Sequence, residues 1–259
     1  MVSDKNIRDF TVLRDIIARL RSPEGCPWDC EQTHTSLKPF LVEECYEVLQ
    51  AIEEGTSDKI CGELGDLLLQ IMLHAQIADE NGEFSVADVI EGISSKLIKR
   101  HPHVFGDSKV KDSEEVRHNW EVIKQGEREK DESLLASVPN QMPALAYSQL
   151  IQRRVASVGF DWDSPEDILG KIEEEVEELL TAASHEEKVK EFGDLMFTLV
   201  NIGRRMDIDM EMALRGANKR FFARFTYMEK VCRKRGVEFK NLSFDEQNRL
   251  WDEAKQASF

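Results

Sequence analysis

GELGDLL at 62–68 and KEFGDLM at 190–196 share the core E-x-G-D-L, and their aspartates, Asp66 and Asp194, stand 128 positions apart. Each string follows a carboxylate-rich helical stretch, EECYE at 43–47 and EEVEE at 174–178, with Glu44 and Glu175 131 positions apart. Two strings in the same order at nearly the same interval predict two copies of one module. Leu64, Leu67, Leu68, Ile71, Met72 and Ala75 in the first copy, and the run Phe192 to Ile202 in the second, predict a largely apolar central helix in each.

Working outward, the first copy keeps a three-and-four apolar spacing. Phe10, Leu13, Ile16, Ile17 and Leu20 mark a helix ending before Ser22-Pro23. Ser36 is expected to cap a second helix, with Pro39 in its first turn and Gly55 as its stop. The central helix starts at Ser57 and closes at Asn81-Gly82; Ser85 with Asp88 forms a capping box for a fourth helix, ended by Pro102, and Ser113 opens another toward Trp120. The second copy repeats these signals with a helix over Leu145 to Val158, Ser164-Pro165 with Asp167, a start near Asp209, and Ser243 with Glu246. Between the copies, GEREKDESLLASVPNQMP at 126–143 loses periodicity, gains charge and carries two prolines. The expected organisation is a helical module at 1–126, a linker at 127–143 and a second module at 144–259, all-α throughout. A central helix apolar nearly all round needs further cover, which predicts an obligate homodimer.

A formal net charge of −16 excludes a general nucleic-acid binder, which needs a basic face to release counterions. A small polyphosphate remains compatible, because a bound divalent cation reverses the sign of an acidic site. No apolar run is long enough to cross a bilayer and MVSDKNIRDF lacks a signal-peptide core, so the expectation is a cytoplasmic protein without membrane contact. Five scattered cysteines are expected to be reduced, and Cys26 and Cys30 have no second Cys/His pair at zinc-finger spacing.

The chemistry lies in the acidic strings. Glu43, Glu44 and Glu47 precede Glu63 and Asp66; Glu174, Glu175 and Glu178 precede Glu191 and Asp194. Glu44/Glu47 and Glu63/Asp66 are i,i+3 pairs, which share a helix face, so packing the two helices together converges four carboxylates. At ~5 Å and an effective dielectric of ~20, each like-charge pair costs about 3 kcal/mol. A solvated acidic face would not set these charges among Leu64, Leu67, Phe192 and Leu195. Hard oxygen ligands of this kind suit Mg²⁺, with Mn²⁺ as a substitute.

Together with GCPWDCEQTHTSL at 25–37, KRHPHVFGD at 99–107, VGFDW at 158–162 and ANKRFFARF at 217–225, these strings give a chain that closely resembles the MazG family of nucleoside triphosphate pyrophosphohydrolases over nearly its whole length. The family motif is EExxE followed by ExxD. The resemblance implies an all-α NTP-pyrophosphatase fold, an intertwined homodimer, Mg²⁺ dependence, and cleavage of NTPs and dNTPs to the monophosphate and pyrophosphate. It implies metal ligation by Glu174, Glu175, Glu178, Glu191 and Asp194, with Glu175 or Glu178 orienting water, and by Glu43, Glu44, Glu47, Glu63 and Asp66 in the first copy. Lys171, Arg220, Arg224 and Trp251 match nucleotide-contacting positions. Arg220 stands where lysine is often found, which exchanges a point charge for a fork. The first copy breaks at Pro102 and has no counterpart of Arg224, so the second copy is expected to carry most of the hydrolysis.

Other readings fare worse. A non-hydrolytic nucleotide or alarmone sensor is the alternative, disfavoured because both copies keep full carboxylate sets. A redox dimetal bundle needs a pair of Glu-x-x-His motifs on bundle helices, and of the expected helices only the one opened by Ser113 carries such a motif, Glu115-x-x-His118. No Walker A string is present. His101 and His103 flank a proline and are expected to be structural; His34 and Trp28 carry no assigned role.

Overall fold

The computed structural model describes residues 6–127 and 133–257, together forming two compact units divided between Gly126 and Glu127. Among the described residues there are twelve α-helices, one 3-10 turn and no strand, so the all-α expectation holds. Part of the expected linker, 128–132, lies outside the described residues, as does the side chain of His118.

In the first unit, α1 (Phe10–Leu20) begins at Asp9, whose carboxylate accepts from the Thr11 N–H. A tight passage leads to α2 (Pro27–Glu31), a short helix with no periodic signal long enough to announce it. Its entry depends on Gly25: a Cβ there would fall 2.2 Å from the Leu20 carbonyl oxygen, which accepts from the Cys26 N–H at 2.7 Å. Arg21 then locks the passage. Its nearly buried guanidinium donates to the carbonyls of Asp29 and Gln32 and pairs with Glu80 at 2.8 Å. Helix α3 (Lys38–Glu54) starts at Leu37 rather than by a Ser36 cap; the Ser36 hydroxyl donates to Gln32 Oε1 at 2.7 Å, a competing local bond that the spacing rule could not weigh. Gly55, left-handed at φ 69°, turns the chain into α4 (Ser57–Glu80). The two-residue connection makes α3 and α4 a helical hairpin, the principal packing pair of the unit.

Helix α5 (Val86–Arg100) carries the expected Ser85/Asp88 capping box. Beyond it come the short α6 (Pro102–Phe105), which extends the chain after Pro102, and α7 (Ser113–Gly126). The core joins Ile17 of α1, the fully buried Leu37, and Met72, Leu73 and Ile77 of α4. His101 Nδ1 lies 2.7 Å from the Leu97 carbonyl, and its ring meets Trp120 edge-on at 5.0 Å and His103 at 5.6 Å.

In the second unit, residues 133–143 pack rather than trail: Val138 is buried and Arg154 donates to the Leu134 carbonyl and the Ser137 hydroxyl. Helix α8 (Ala144–Ala156) lies against α10 (His185–Arg205), and α9 (Pro165–Thr181) and α10 form the counterpart of the α3–α4 hairpin. Helix α11 (Met210–Arg235) is capped by Asp209 and packs on α12 (Phe244–Gln256), which begins at the expected Ser243/Glu246 box. Gln149, 4% exposed, fixes the turn into α11 by donating to the Ile208 carbonyl and accepting from the Met210 N–H. Among the described residues no helix is long and apolar enough to cross a membrane.

Substituting Gly25 tests the passage into α2. Gly25→Ala meets backbone atoms that no rotamer change can relieve and should cost about 1–3 kcal/mol. Gly92→Ala, a helical glycine with open space around its Cα, should stabilise by up to about 1 kcal/mol. Urea midpoints of the two variants moving in the same direction would refute this.

Candidate metal and nucleotide site

The α9–α10 hairpin fixes the site from its two starts. Ser164 accepts from the Asp167 N–H while Asp167 bonds back, with Pro165 in the first turn; Ser184 and Glu187 make the same box for α10. Ile168, fully buried, sets the rotation of α9, placing Lys171, Glu174, Glu175 and Glu178 along one stripe. On α10, Lys190, Glu191 and Asp194 occupy adjacent turns facing that stripe.

One carboxylate oxygen from each of Glu175, Glu178 and Glu191 lies within 4.8 Å of the others. Glu175 is 4% exposed. Its Oε1 pairs with Lys171 Nζ at 2.9 Å, and Glu191 Oε1 pairs with Lys190 Nζ at 2.9 Å. The second oxygen of each, Glu175 Oε2 and Glu191 Oε2, is buried without a hydrogen-bond partner. A buried unpaired carboxylate oxygen forfeits the full cost of its desolvation, so the cluster fits a hard cation that would take those two atoms as ligands. Glu174 is drawn to Lys171 at 2.8 Å and Asp194 to Lys190 at 3.4 Å, so of the five expected ligands these two stand outside the close triad. Bonds to Glu174 and Glu175 hold the Lys171 ammonium well above the usual lysine range.

The first unit lacks the lysine partners of the second. There the close triad is Glu44, Glu63 and Asp66, and Glu43 and Glu47 are exposed beside it. By position Phe40 replaces Lys171 and Gly62 replaces Lys190. Phe40 packs edge-on against Trp28 at 5.9 Å, and among the described residues none of Glu44, Glu63 or Asp66 forms an ion pair. Glu44 is accordingly pushed up from the usual carboxylate range, first by desolvation and then by the charges of Glu47 and Asp66. Among the described residues no candidate metal group contains a cysteine, and all five cysteines are free.

Next to the second triad opens a cavity of about 1050 Å³. Lys171, Glu174, Glu175 and Asp194 line one part of it, and Phe160, Trp162 and Phe197 contribute aromatic surface. The VGFDW segment is clipped to the last turn of α10 through Asp161, which pairs with Arg204 and, at 3.3 Å, with Arg205. Burial works to raise the Asp161 pKa, but bonds from Arg204 and the Trp162 N–H and the charges of both arginines outweigh it and hold the carboxyl below the usual range. Gln152 and Asn201 also line the cavity. Sequence reasoning missed both, because a lone amide on a helix has no spacing signature; the aromatic residues could have been suspected from VGFDW.

Arg220, Arg224 and Trp251 are placed elsewhere. The Arg224 guanidinium lies over the Trp251 ring at 5.5 Å, and Trp251 packs on the α11–α12 core of Met228, Cys232, Leu250 and Ala254. None of the three lines the cavity, whereas Lys171 does.

Comparison with known proteins matches the two units separately. Residues 32–105 match the MazG nucleotide pyrophosphohydrolase domain, and residues 149–221 match phosphoribosyl-ATP pyrophosphohydrolase. Over 247 residues the chain is 46% identical to the nucleoside triphosphate pyrophosphohydrolase/pyrophosphatase MazG of Thermotoga maritima, covering 95% of each chain. The chain belongs to the MazG family. This MazG chain is also 41% identical over 252 residues to the nucleoside triphosphate pyrophosphohydrolase of Escherichia coli K12, covering 94% of this chain and 96% of that one. It is 48% identical over 253 residues to the uncharacterized protein YabN of Bacillus subtilis, covering 96% of this chain and 52% of YabN. Both matched segments contain a carboxylate hairpin, although the two halves of this MazG match under different descriptions.

Asp161→Asn should remove a partly buried ion pair at a cost of about 3 kcal/mol at pH 7. A depressed folded pKa gives stability that is present above the unfolded value near 4 and is lost as pH falls through the folded value. The variant and the parent should therefore differ most near neutrality and converge in acid; parallel melting temperatures from pH 7 to pH 3 would contradict that assignment.

Proposed function

We propose that this MazG protein hydrolyses nucleoside and deoxynucleoside triphosphates to the monophosphate and pyrophosphate, and that the second unit carries most of the turnover. The supporting observation is the pair of buried, unpartnered oxygens on Glu175 and Glu191, held within a carboxylate triad beside a cavity that also contains Lys171. Glu175, Glu178 and Glu191 would hold Mg²⁺, or Mn²⁺ in its place, with Glu174 and Asp194 adjoining. When bound, such an ion supplies charge neutralisation for the triphosphate and acidifies water. In the first unit Glu44, Glu63 and Asp66, flanked by Glu43 and Glu47, form the corresponding group.

The chain's own groups supply the rest. The Lys171 ammonium, fixed by Glu174 and Glu175, stands where phosphate oxygens enter and offers them a positive charge at no cost in reorganisation. Glu175 or Glu178 would orient the attacking water, and Glu178 is the exposed member of the triad. The aromatic part of the cavity takes the nucleoside, shielding the anhydride from bulk water. Arg220, Arg224 and Trp251 are assigned to the substrate as contacts from outside this cavity, with the i,i+4 arginines directed to phosphate.

We place the protein in the cytoplasm as a homodimer without nucleic-acid partners. Leu64 and Ile71 on α4, and Leu180, Val189 and Phe192 of the α9–α10 hairpin, are large apolar side chains left at the surface of the single chain, which a second copy would cover. Sedimentation at micromolar concentration should show a dimer; a compact, active monomer would sink this part of the proposal.

Incubation with each NTP and dNTP plus Mg²⁺, followed by separation of products, should yield monophosphate and pyrophosphate; nucleotide bound and recovered intact would instead identify a sensor. Glu175→Gln should lower kcat by on the order of 10² to 10³, the scale of one lost preorganised contact. Glu44→Gln should cost far less, and the reverse ordering would move the working site to the first unit. Chelation should abolish turnover and lower the melting temperature, since the cation relieves repulsion only in the folded state.

A further inference from the structure

We infer that Asp161 is a positioning residue for the hydrolysis: by tying the loop between α8 and α9 to the last turn of α10, it holds Phe160 and Trp162 as an open wall for the nucleoside. This rests on the cavity being the nucleoside subsite proposed above. Phe160 and Trp162 line that cavity and are 78% and 38% exposed. A stacking wall cannot be fixed by burying its rings, because a buried face is closed to the ligand. Its support has to come from behind the rings.

The backbone does not supply that support. The Phe160 N–H donates to the Val155 carbonyl at 3.1 Å, closing the end of α8, and Gly159 turns the chain there in the left-handed conformation at φ 86°. Among the described residues no backbone–backbone hydrogen bond involves Asp161, Trp162 or Asp163. Bonding resumes at Ser164, in the capping box of α9. The residues between are held through side chains, and these bonds meet chiefly at Asp161. Its Oδ1 accepts from the Trp162 N–H at 2.9 Å and from Arg204 Nη2, and its Oδ2 accepts from Arg205 Nη1 at 3.3 Å. Arg205 adds a bond to the Asp163 carbonyl at 3.5 Å.

The clip ends on the helix that carries the chemistry. Arg204 is nearly buried and also donates to Asn201 Oδ1 at 3.1 Å, so it is a fixed anchor rather than a mobile surface cation. Both arginines close the same α10 that bears Glu191 and Asp194, and Arg204 lies roughly 15 Å along it from Asp194 at 1.5 Å per residue. Asp161 thus refers the nucleoside wall to the element holding the carboxylates, so the two ends of the substrate meet surfaces set at one separation. Without the clip, Phe160 and Trp162 sit on a loop that each binding event has to order, which weakens the hold on the nucleoside and leaves the phosphate end unchanged.

The test uses the full-length chain and the variants Asp161→Asn and Trp162→Leu. Calorimetry with Mg²⁺ present would give the Kd of α,β-methylene ATP and of inorganic tripolyphosphate, a probe without a nucleoside, beside KM and kcat for ATP. Asp161→Asn should raise Kd of the analogue and KM of ATP about tenfold, the scale of ordering two side chains, with kcat nearly unchanged and tripolyphosphate affinity unmoved. Trp162→Leu should weaken the nucleotide in the same way. The inference is overturned if tripolyphosphate weakens as much as the nucleotide, if kcat carries the loss, or if Asp161→Asn leaves nucleotide affinity unmoved while Trp162→Leu lowers it. No response to either variant would remove the subsite reading and the inference with it. Measurements are made where circular dichroism shows each variant folded, and should Asp161→Asn melt too early, Arg205→Gln serves instead. It removes one arm of the clip and the bond to Asp163, so nucleotide affinity should fall about threefold with tripolyphosphate unmoved. An equal loss for both ligands, or no loss, overturns the inference.

Discussion

Mutual repulsion of carboxylates is the constraint around which each half of the chain is organised. Three acidic side chains held within 4.8 Å of one another, two of them with a buried oxygen lacking any partner, would drive α9 and α10 apart if nothing else joined them. The hairpin holds because its cohesion lies on other faces. Ile168, Thr198 and Val200 are buried, and Gln152 ties α8 to the backbone of α10. Capping boxes at both helix starts fix the residue phase that brings the acidic stripes face to face. A weaker scaffold would relieve the repulsion by splaying the helices, and the cluster could not then act as a preorganised cation site.

Much of the fold was legible because it is written in short-range chemistry. The capping boxes Ser85/Asp88, Ser164/Asp167 and Ser243/Glu246 all form, and Gly55 ends its helix in the left-handed conformation. Failures came where several local bonds compete. Ser36 had the right spacing to cap α3, but its hydroxyl goes to Gln32, and Leu37 begins the helix while filling the core. The short α2 and α6 lack a full apolar period, and Pro102, read as the end of one helix, also opens the next.

Legibility at the site followed the same division. Carboxylates at i,i+3 on two helices joined by a short loop are a statement about one hairpin, and both triads form from those residues. Which carboxylates stay outside a triad was not legible, because it depends on Lys190 drawing Asp194 and Lys171 drawing Glu174. The cavity wall was less visible still. Gln152 and Asn201 belong to different helices, and a lone amide on a helix has no spacing that marks it as part of a cavity wall. Arg220 and Arg224 show the converse: a helix face can be read correctly as basic and still stand away from the cavity lined by Lys171.

The exchange of Lys171 and Lys190 for Phe40 and Gly62 means that the two halves rest in different states. In the second unit each inner carboxylate gives one oxygen to an ammonium group and keeps the other unpartnered, so counter-ion and vacant acceptor belong to the same side chain. In the first unit no lysine stands at those positions, and burial together with the charges of Glu47 and Asp66 makes Glu44 hold its proton more tightly than a free carboxyl. Two copies of one carboxylate hairpin thus differ in how their charge is offset: by ammonium groups held on the helix in one, by a raised proton affinity at Glu44 in the other.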